Sequence, residues 1–191
     1  MLDGVWQQLG RGVADRKHAF RTPVLATVSL AGVPRARTVV LRGAARADRQ
    51  LVLHTDLRSP KVAELRANAA ACLVFYDKKA RRQIRAEGQA VVHHDGPDVD
   101  AAWARMVSFS RRCYIVMPGP GAPLDAPGSG LTPAQEANDF PEHEQAVARE
   151  HFARVRLTVN TFDVLDLAHG GHRRFQATWR EGGWAVQWCV P

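Results

Sequence analysis

The sequence predicts a mainly β (α+β) protein: an antiparallel barrel with helices inserted between its strands. Short runs rich in β-forming residues follow one another and are separated by turn residues. The regular helical crossovers of a doubly wound parallel sheet do not appear in the pattern. A chain of 191 residues with 46% hydrophobic residues can bury a sizeable core. We therefore expect a single domain over residues 1–191.

The first third of the chain is predicted to form one helix and then three strands. Trp6, Leu9 and Val13 recur at helical spacing, which indicates a helix within the first 20 residues. Ala31-Gly32 forms a turn between the first two strands, so these two form a hairpin. The three predicted strands are Pro23 to Leu30, Pro34 to Arg42 and Leu51 to His54.

Ser59-Pro60 marks the start of the next helix, since a hydroxyl residue precedes a proline at the first helical position. Val62 and Leu65 are expected to face the core, and Asn68 to end this helix. The elements predicted after it are strands over 71–76 and 83–94 and a helix over 99–106.

The segment from Met117 to Pro133 is rich in proline and glycine, which excludes a helix or a central strand. We expect a long loop that is functional or mobile. The elements predicted beyond it are a helical region over 132–152 interrupted at Pro141, a strand over 155–167 and a hairpin over 173–179 and 184–190.

The composition favours an anionic partner. Lys and Arg exceed Asp and Glu by 26 − 19 = 7 residues. A phosphorylated cofactor, a phosphorylated substrate and nucleic acid all qualify, but the arginines are spread along the chain without interleaved aromatics, which disfavours nucleic acid.

The chain is expected to be cytoplasmic. No apolar run approaches the roughly 18 residues of a membrane helix, and Met1 to Gly10 does not resemble a signal peptide. Cys72, Cys113 and Cys189 are widely spaced and odd in number, so reduced thiols are expected rather than a disulfide framework.

The strand predicted around Arg37 carries the first candidate site. Period-2 alternation places Arg37 on one face with Val39 and Leu41, which have the character of core residues. A buried arginine needs a partner, and a bound phosphate would be one. The alternative is an arginine that extends its charged end to solvent.

The helix that begins after Ser59 carries the second candidate site. Its N-terminus presents free N–H groups and a partial positive charge, which favour an anion. Lys61 lies in this first turn, where the helix dipole disfavours a cation, and a bound anion would resolve the conflict. The alternative is a solvated lysine.

Two further candidates are weaker. Alternation places Gln83, Arg85 and Glu87 on one face, where an amide could hydrogen-bond a heterocycle. His169 and His172 flank two glycines, but two candidate ligands favour a solvent-facing turn over a metal site. We expect no metal.

Taken together, these segments resemble the FMN-binding segment of the pyridoxamine 5'-phosphate oxidase family. The resemblance rests on five segments of the chain. They are Arg37-Thr-Val-Val-Leu-Arg42, His54-Thr55, Arg58-Ser59-x-Lys61 through Asn68, Leu73-Val-Phe, and Arg82-Gln83-Ile84 running to Gly88. Arg174-Phe175 and the last eight residues resemble the family's C-terminus, whereas residues 95–153 match poorly.

The resemblance implies a split β-barrel that dimerises and binds two FMN molecules in its interface. Arg37 and Lys61 would hold the FMN phosphate, and Ser59 would add a hydroxyl group. The other implied cofactor contacts are Thr38, Val39, Val40, Arg42, His54, Thr55, Gln83 and Arg174. Arg174 would approach the ring near N1 and O2, and Arg42 would lie near both ring and substrate.

The chain departs from the oxidases where they bind pyridoxal phosphate. Those enzymes carry an Arg-x-His pair, and here His172 matches but Gly170 replaces the arginine. The tryptophan that flanks the flavin falls near Leu165. Arg111 or Arg112 partly matches the substrate-binding motif of the oxidases. The candidate substrate contacts are therefore Arg42, Arg111 and His172.

Four functions are consistent with these residues. They are an FMN oxidoreductase acting on an unidentified small molecule, pyridoxamine 5'-phosphate oxidase itself, a non-catalytic flavin or haem binder, and a basic nucleic-acid binder. The departure at Gly170 favours the first over the second. The expected cofactor is FMN, and the expected partners are a second copy and a small-molecule substrate, with no nucleic acid or membrane. No residue is assigned a catalytic role.

Overall fold

A computed structural model of the chain describes residues 1–137 and 141–191. Within those residues nine strands form one sheet in the order β2-β1-β5-β6-β7-β4-β3, and β8 links β7 to β9. The strands are β1 (Val24–Val28), β2 (Pro34–Thr38), β3 (Leu41–Ala45), β4 (Gln50–Asp56), β5 (Ala70–Asp77), β6 (Arg82–His93), β7 (Phe152–Asp166), β8 (Arg173–Arg180) and β9 (Gly183–Cys189).

Antiparallel pairing dominates this sheet. It joins β1 to β2 and β5, β3 to β4, β5 to β6, β7 to β8, and β8 to β9. The predicted mainly β, antiparallel class is therefore confirmed, and so are both predicted hairpins.

Helices connect the strands without regular crossovers. They are α1 (Leu2–Ala14), α2 (Pro60–Ala67), α3 (Pro97–Ala104), α4 (Ser108–Arg111), α5 (Pro133–Glu136), α6 (Glu142–His151) and the 3₁₀ segments Ala19–Arg21 and Arg112–Tyr114. The sequence pattern did not predict α4 or the 3₁₀ segments, because one turn is too short to show a period. Residues 138–140 of the predicted helical region lie outside the described residues.

The first two helices form where the sequence predicts them. Val5 and Leu9 of α1 are buried, and so are Val62 and Leu65 of α2. Asn68 follows α2, and its side chain accepts a hydrogen bond from the backbone N–H of Ala70. Burial of these apolar side chains stabilises both helices.

One predicted strand is wrong in its extent. The segment over Pro34 to Arg42 divides after Thr38, since β2 pairs with β1 whereas β3 pairs with β4. A change of pairing partner requires the chain to leave one ladder before it joins the next, and a bulge between Leu41 and Gly43 marks the new pairing. The division accounts for the ninth strand, since the segments predicted as strands number eight.

The chain divides into two compact units. Unit 1 comprises Met1–Leu53, Glu64–Val91 and Arg156–Pro191, and unit 2 comprises His54–Ala63 and Val92–Val155. The single domain over residues 1–191 stays a prediction.

Each unit has its own aromatic core. In unit 1, Trp6 meets Phe162 edge-on at 5.3 Å between ring centroids. In unit 2, Phe152 packs against Tyr114 at 5.2 Å, and Val99 is buried in the same cluster.

The predicted loop is confirmed over residues 117–132, which carry no helix or strand. In the part of the chain that the structure describes, no helix is both long and apolar enough to cross a membrane.

Candidate functional site

Unit 2 contains a lysine held by two buried hydroxyl groups. The chain leaves β4 at Asp56 and enters α2 at Pro60. In between, the Lys61 ammonium donates to Ser59 Oγ at 2.6 Å and to Thr55 Oγ1 at 3.0 Å. Thr55 and Ser59 are each 6% exposed. Lys61 is half-buried rather than fully solvated, and its charge is fixed at the N-terminus of a helix.

Arg58 stabilises the segment from Thr55 to Lys61. Its guanidinium forms a two-point contact with the Asp56 carboxylate, at 3.0 and 2.7 Å, and donates to the carbonyl oxygen of Tyr114 at 3.2 Å. Asp56 is buried. Arg58 was not predicted as a site residue, although its position inside the motif was a usable signal.

The Pro/Gly loop packs against the same segment. A Cβ atom added at Gly119 would lie 3.3 Å from the Arg58 side chain, and one added at Gly121 would lie 3.4 Å from the Pro60 ring. Arg58 also contacts the sulfur of Met117 at 3.2 Å. Glycines in this loop therefore allow its close approach to residues 58–60.

In unit 1, Arg37 is bound to a carboxylate of its own chain. Its Nη2 lies 2.7 Å from Glu64 Oε2, and its Nη1 donates to Thr27 Oγ1. Thr27 in turn donates to Glu64 Oε2 at 2.6 Å. The Arg37 side chain is 24% exposed, so it is neither a fully buried charge nor a solvated one. The sequence pattern gave no sign of the Glu64 partner.

The residues after Arg37 occupy the end of β2, the break and the start of β3. Thr38 is exposed, Val39 and Val40 are half-buried, and Arg42 is exposed. The backbone N–H of Val39 donates to the Pro23 carbonyl at 2.9 Å, which extends the β1–β2 ladder by one bond.

A second cluster in unit 1 centres on Asp163 of β7. Its carboxylate is 3% exposed and accepts hydrogen bonds from Arg174 at 2.7 and 3.1 Å, from Arg85 at 2.9 Å and from Gln176 at 2.9 Å. Arg85 alternates with the buried Ile84 and Ala86 on β6. Gln83 is half-buried and lies two residues from Arg85, so both side chains point to the same face of β6, as predicted. On that face, Arg85 shares the Asp163 carboxylate with Arg174.

The electrostatics of the cluster favour its charged form. Burial alone would raise the pKa of the Asp163 carboxyl, but hydrogen bonds from Arg174 and Gln176 and the charge of Arg85 outweigh it, and the pKa lies below its ordinary value. The hydrogen bond from Arg174 to Asp163 raises the pKa of the guanidinium in turn.

The remaining predicted residues make other contacts or are exposed. His54 meets Phe152 edge-on at 4.9 Å between ring centroids. Arg111 donates to Gln145 at 2.7 Å and lies over the Trp103 ring. His172 is exposed in the turn before β8. Among residues 1–137 and 141–191, no group of three or more His, Cys, Asp or Glu side chains could hold a metal ion.

An open cleft of about 520 Å³ lies on the surface of unit 1. Its lining is mostly small and uncharged, and it includes Gly88, Cys72 and Glu87. Burial raises the pKa of the Cys72 thiol to about 11, so this side chain is a neutral wall and not a thiolate.

The unit 2 residues fit the phosphate end of a flavin nucleotide. One ammonium group, two hydroxyl groups and a helix N-terminus form a donor set suited to a phosphate. Arg37 also suits a phosphate, although it would share its guanidinium with Glu64. Arg37, Gln83 and Arg174 lie in unit 1, whereas His54, Thr55, Ser59 and Lys61 lie in unit 2. Their joint action on one FMN stays a prediction.

Residues 4–94 match the family described as pyridoxamine 5'-phosphate oxidase, FMN-binding domain. Over these residues the chain belongs to the pyridoxamine 5'-phosphate oxidase-like FMN-binding family. The predicted family is therefore confirmed, and FMN is the cofactor of the matched domain.

Sequence relatives agree with this assignment. The chain is 34% identical over 131 residues to a pyridoxine/pyridoxamine 5'-phosphate oxidase of Arabidopsis thaliana, a match covering 63% of this chain and 66% of that protein. It is 39% identical over 89 residues to the enzyme of Granulibacter bethesdensis, covering 45% and 41% of the two chains. The matches thus span less than two thirds of these oxidases.

Solved structures show that the fold extends beyond the matched region. A pyridoxamine 5'-phosphate oxidase-related, FMN-binding protein of Nostoc punctiforme superposes with a TM-score of 0.76 at 23% identity, over 98% of this chain and 96% of its own. PhzG of Burkholderia lata superposes with a TM-score of 0.76 at 18% identity, over 100% and 92%. These likenesses confirm the predicted split-barrel fold of the oxidase-like family.

Proposed function

We propose that this protein is an FMN-dependent oxidoreductase whose substrate is a small molecule other than pyridoxamine 5'-phosphate. The observation that carries the proposal is the pair of hydrogen bonds that holds Lys61 in unit 2. Lys61 is held there by hydrogen bonds to Ser59 and Thr55. A donor set ordered in advance reduces the entropy lost when an anion binds.

The FMN phosphate would be held by Arg37 and Lys61, with the Ser59 hydroxyl as an additional donor. The ribityl and phosphate side would be lined by His54 and Thr55. The backbone of residues 38–40 would lie alongside the flavin.

At the flavin ring, Gln83 would hydrogen-bond a polar edge, and Arg174 would approach N1 and O2. Bound FMN supplies the electron transfer of the reaction. Negative charge develops near N1 and O2 on reduction, and a fixed guanidinium there stabilises it.

The residues expected to contact the substrate differ more from those of the pyridoxamine 5'-phosphate oxidases than the residues expected to contact FMN. Arg111 already binds Gln145, whereas Arg42 and His172 are exposed and are the stronger candidates for substrate contacts. Gly170 offers no guanidinium beside His172. A substrate without the phosphate of pyridoxamine 5'-phosphate suits this arrangement better.

We also propose a homodimer with FMN at its interface, in which one chain supplies Arg37 and Lys61 and its partner supplies Arg174. Exposed apolar side chains on the edge strand β9 support it, since Val186 is 42% and Trp188 is 59% exposed. The three cysteines are free thiols, which supports a reducing, cytoplasmic compartment.

The test is direct. Purified protein is examined by absorption spectroscopy, and the ligand released by denaturation is identified by mass spectrometry. We expect a flavin spectrum and the mass of FMN. The bound flavin is then reduced anaerobically and reoxidised with oxygen, which separates a catalyst from a passive binder. A colourless protein that does not take up added FMN would refute the proposal.

A further inference from the structure

Asp163 is the most heavily hydrogen-bonded side chain in the clusters described above. Its Oδ2 accepts from Arg174 Nη2 at 2.7 Å, from Arg85 Nη2 at 2.9 Å and from Gln176 Nε2 at 2.9 Å, while its Oδ1 accepts from Arg174 Nε at 3.1 Å. The donors come from two of the strands that neighbour β7 in the sheet, since Arg85 lies on β6 and Arg174 and Gln176 lie on β8.

The burial of this cluster is uneven. The Asp163 side chain is 3% exposed, whereas the side chains of Arg174 and Arg85 are 30% and 38% exposed. The carboxylate therefore lies beneath two guanidinium groups that reach the surface. A buried ion cluster is seldom the most stable way to fill a core, because desolvation offsets most of the attraction. Its geometry serves to hold the two arginines in fixed positions.

The two-point contact matters most for Arg174. An arginine side chain loses considerable rotamer freedom when it is ordered. Contacts from both Nε and Nη2 to one carboxylate fix the plane of the guanidinium as well as its position. Other donor atoms of Arg174 are left to face a ligand, because a guanidinium carries five N–H groups.

We propose that Asp163 is a positioning residue for the flavin, acting through Arg174. Asp163 itself does not touch the cofactor; it orients the guanidinium that does. The inference rests on the proposed function, because it requires FMN to be the ligand that Arg174 meets. It extends that function by naming a residue that no sequence motif indicated.

The sign of the effect distinguishes positioning from simple electrostatics. FMN is an anion through its phosphate, so removing a negative charge near the site would tighten binding if charge alone mattered. If Asp163 positions Arg174, its loss weakens binding, because the guanidinium must then be ordered by the ligand itself.

The same strand offers a matched control. Asp166 of β7 also makes a two-point contact with an arginine, Arg82 of β6, at 2.5 and 2.8 Å. Asp166 is 33% exposed. Asp166→Asn therefore removes an equivalent carboxylate charge from an arginine pair that excludes Arg174.

The experiment measures FMN affinity by fluorescence titration of the apoprotein in five forms: wild type, Asp163→Asn, Arg174→Ala, the double variant and Asp166→Asn. We expect Asp163→Asn and Arg174→Ala each to raise the Kd about tenfold, a change typical of one lost charge-assisted contact. The double variant should bind no more weakly than Arg174→Ala alone, because coupled residues are not additive. Asp166→Asn should stay within about twofold of wild type.

Several results would overturn the inference: tighter binding by Asp163→Asn, full additivity in the double variant, or an equal loss in Asp166→Asn. Should Asp163→Asn fail to fold by circular dichroism, Asp163→Glu replaces it, since it keeps the charge but displaces the carboxylate by one methylene. An unchanged Kd in folded Asp163→Glu would then overturn the inference. Failure of the wild type to bind FMN would instead refute the proposed function and this inference with it.

Discussion

Glu64 Oε2 lies 2.7 Å from Arg37 Nη2 and 2.6 Å from the hydroxyl of Thr27, so a strand arginine is joined to a helix carboxylate inside unit 1. Burial alone would raise the pKa of Glu64, but the hydrogen bonds from Thr27 and Arg37 hold it below its ordinary value. A carboxyl with a lowered pKa stabilises the fold above its unfolded pKa. That contribution disappears as the pH falls through the folded pKa.

We predict that Glu64→Gln lowers the free energy of unfolding at pH 7 by roughly 1.5–3 kcal/mol, the worth of hydrogen bonds to a charged group. The difference from wild type should shrink as the pH falls below the ordinary range of a glutamate. Urea unfolding at several pH values measures it, with exposed Glu150→Gln as the control. A stability difference that is independent of pH would contradict this explanation.

Gly88 of β6 is predicted to be intolerant of a side chain. A Cβ atom at this position would collide with the backbone carbonyl oxygen of Thr158 on β7, which cannot move without breaking the sheet. Gly88→Ala should lower the free energy of unfolding by about 1–3 kcal/mol or prevent folding. Gly10→Ala on α1, where the space is open, should be neutral or slightly stabilising. Thermal melting compares them.

Pyridoxamine 5'-phosphate is predicted to be a poor substrate. The wild-type kcat/KM should fall below about 10⁴ M⁻¹s⁻¹, the lower end of the usual enzyme range. Gly170→Arg should raise it about tenfold or more if the added guanidinium is used in the transition state, and the space around Gly170 is open to a side chain. Steady-state oxidation by the FMN-loaded protein, with Gly4→Arg as the control, decides the matter. Efficient turnover by the wild type would show that Gly170 is immaterial.

The proposed dimer is predicted to depend on the edge strand β9. Trp188 is 59% exposed there and packs against Phe175 on one side. Trp188→Asp should shift sedimentation equilibrium from twice 21.1 kDa toward 21.1 kDa, because a charge in an apolar interface is costly to desolvate. Leu124→Asp, at an exposed position in the Pro/Gly loop, should leave the mass unchanged. A wild-type monomer with FMN fully bound would disprove the dimer.

Local sequence signals were sufficient for most of the fold. Ser59-Pro60 begins α2 as its capping pattern predicts, and Glu181-Gly182, both with positive φ, turn the last hairpin. The break after Thr38 could not be predicted, because the residues on both sides favour strands. It arises from a change of pairing partner, which is a tertiary choice.

The site was predictable only where its residues are close in sequence. Lys61 and Ser59 share one helix start, so helix physics alone indicated an anion there. Glu64 and Asp163 were missed because their arginine partners lie 27 and 11 or more residues away. Only the packing of the sheet shows which carboxylate meets which arginine.

We propose that Lys61 and Arg37 bind FMN through its phosphate. The most direct measurement is fluorescence titration of FMN into the apoprotein of wild type, Lys61→Ala and Arg37→Ala, with exposed Lys79→Ala as the control for charge. Loss of one charge-assisted contact should raise the Kd by roughly tenfold to a hundredfold in each of the first two variants, and Lys79→Ala should bind like the wild type. Unchanged FMN affinity in both Lys61→Ala and Arg37→Ala would contradict this phosphate site.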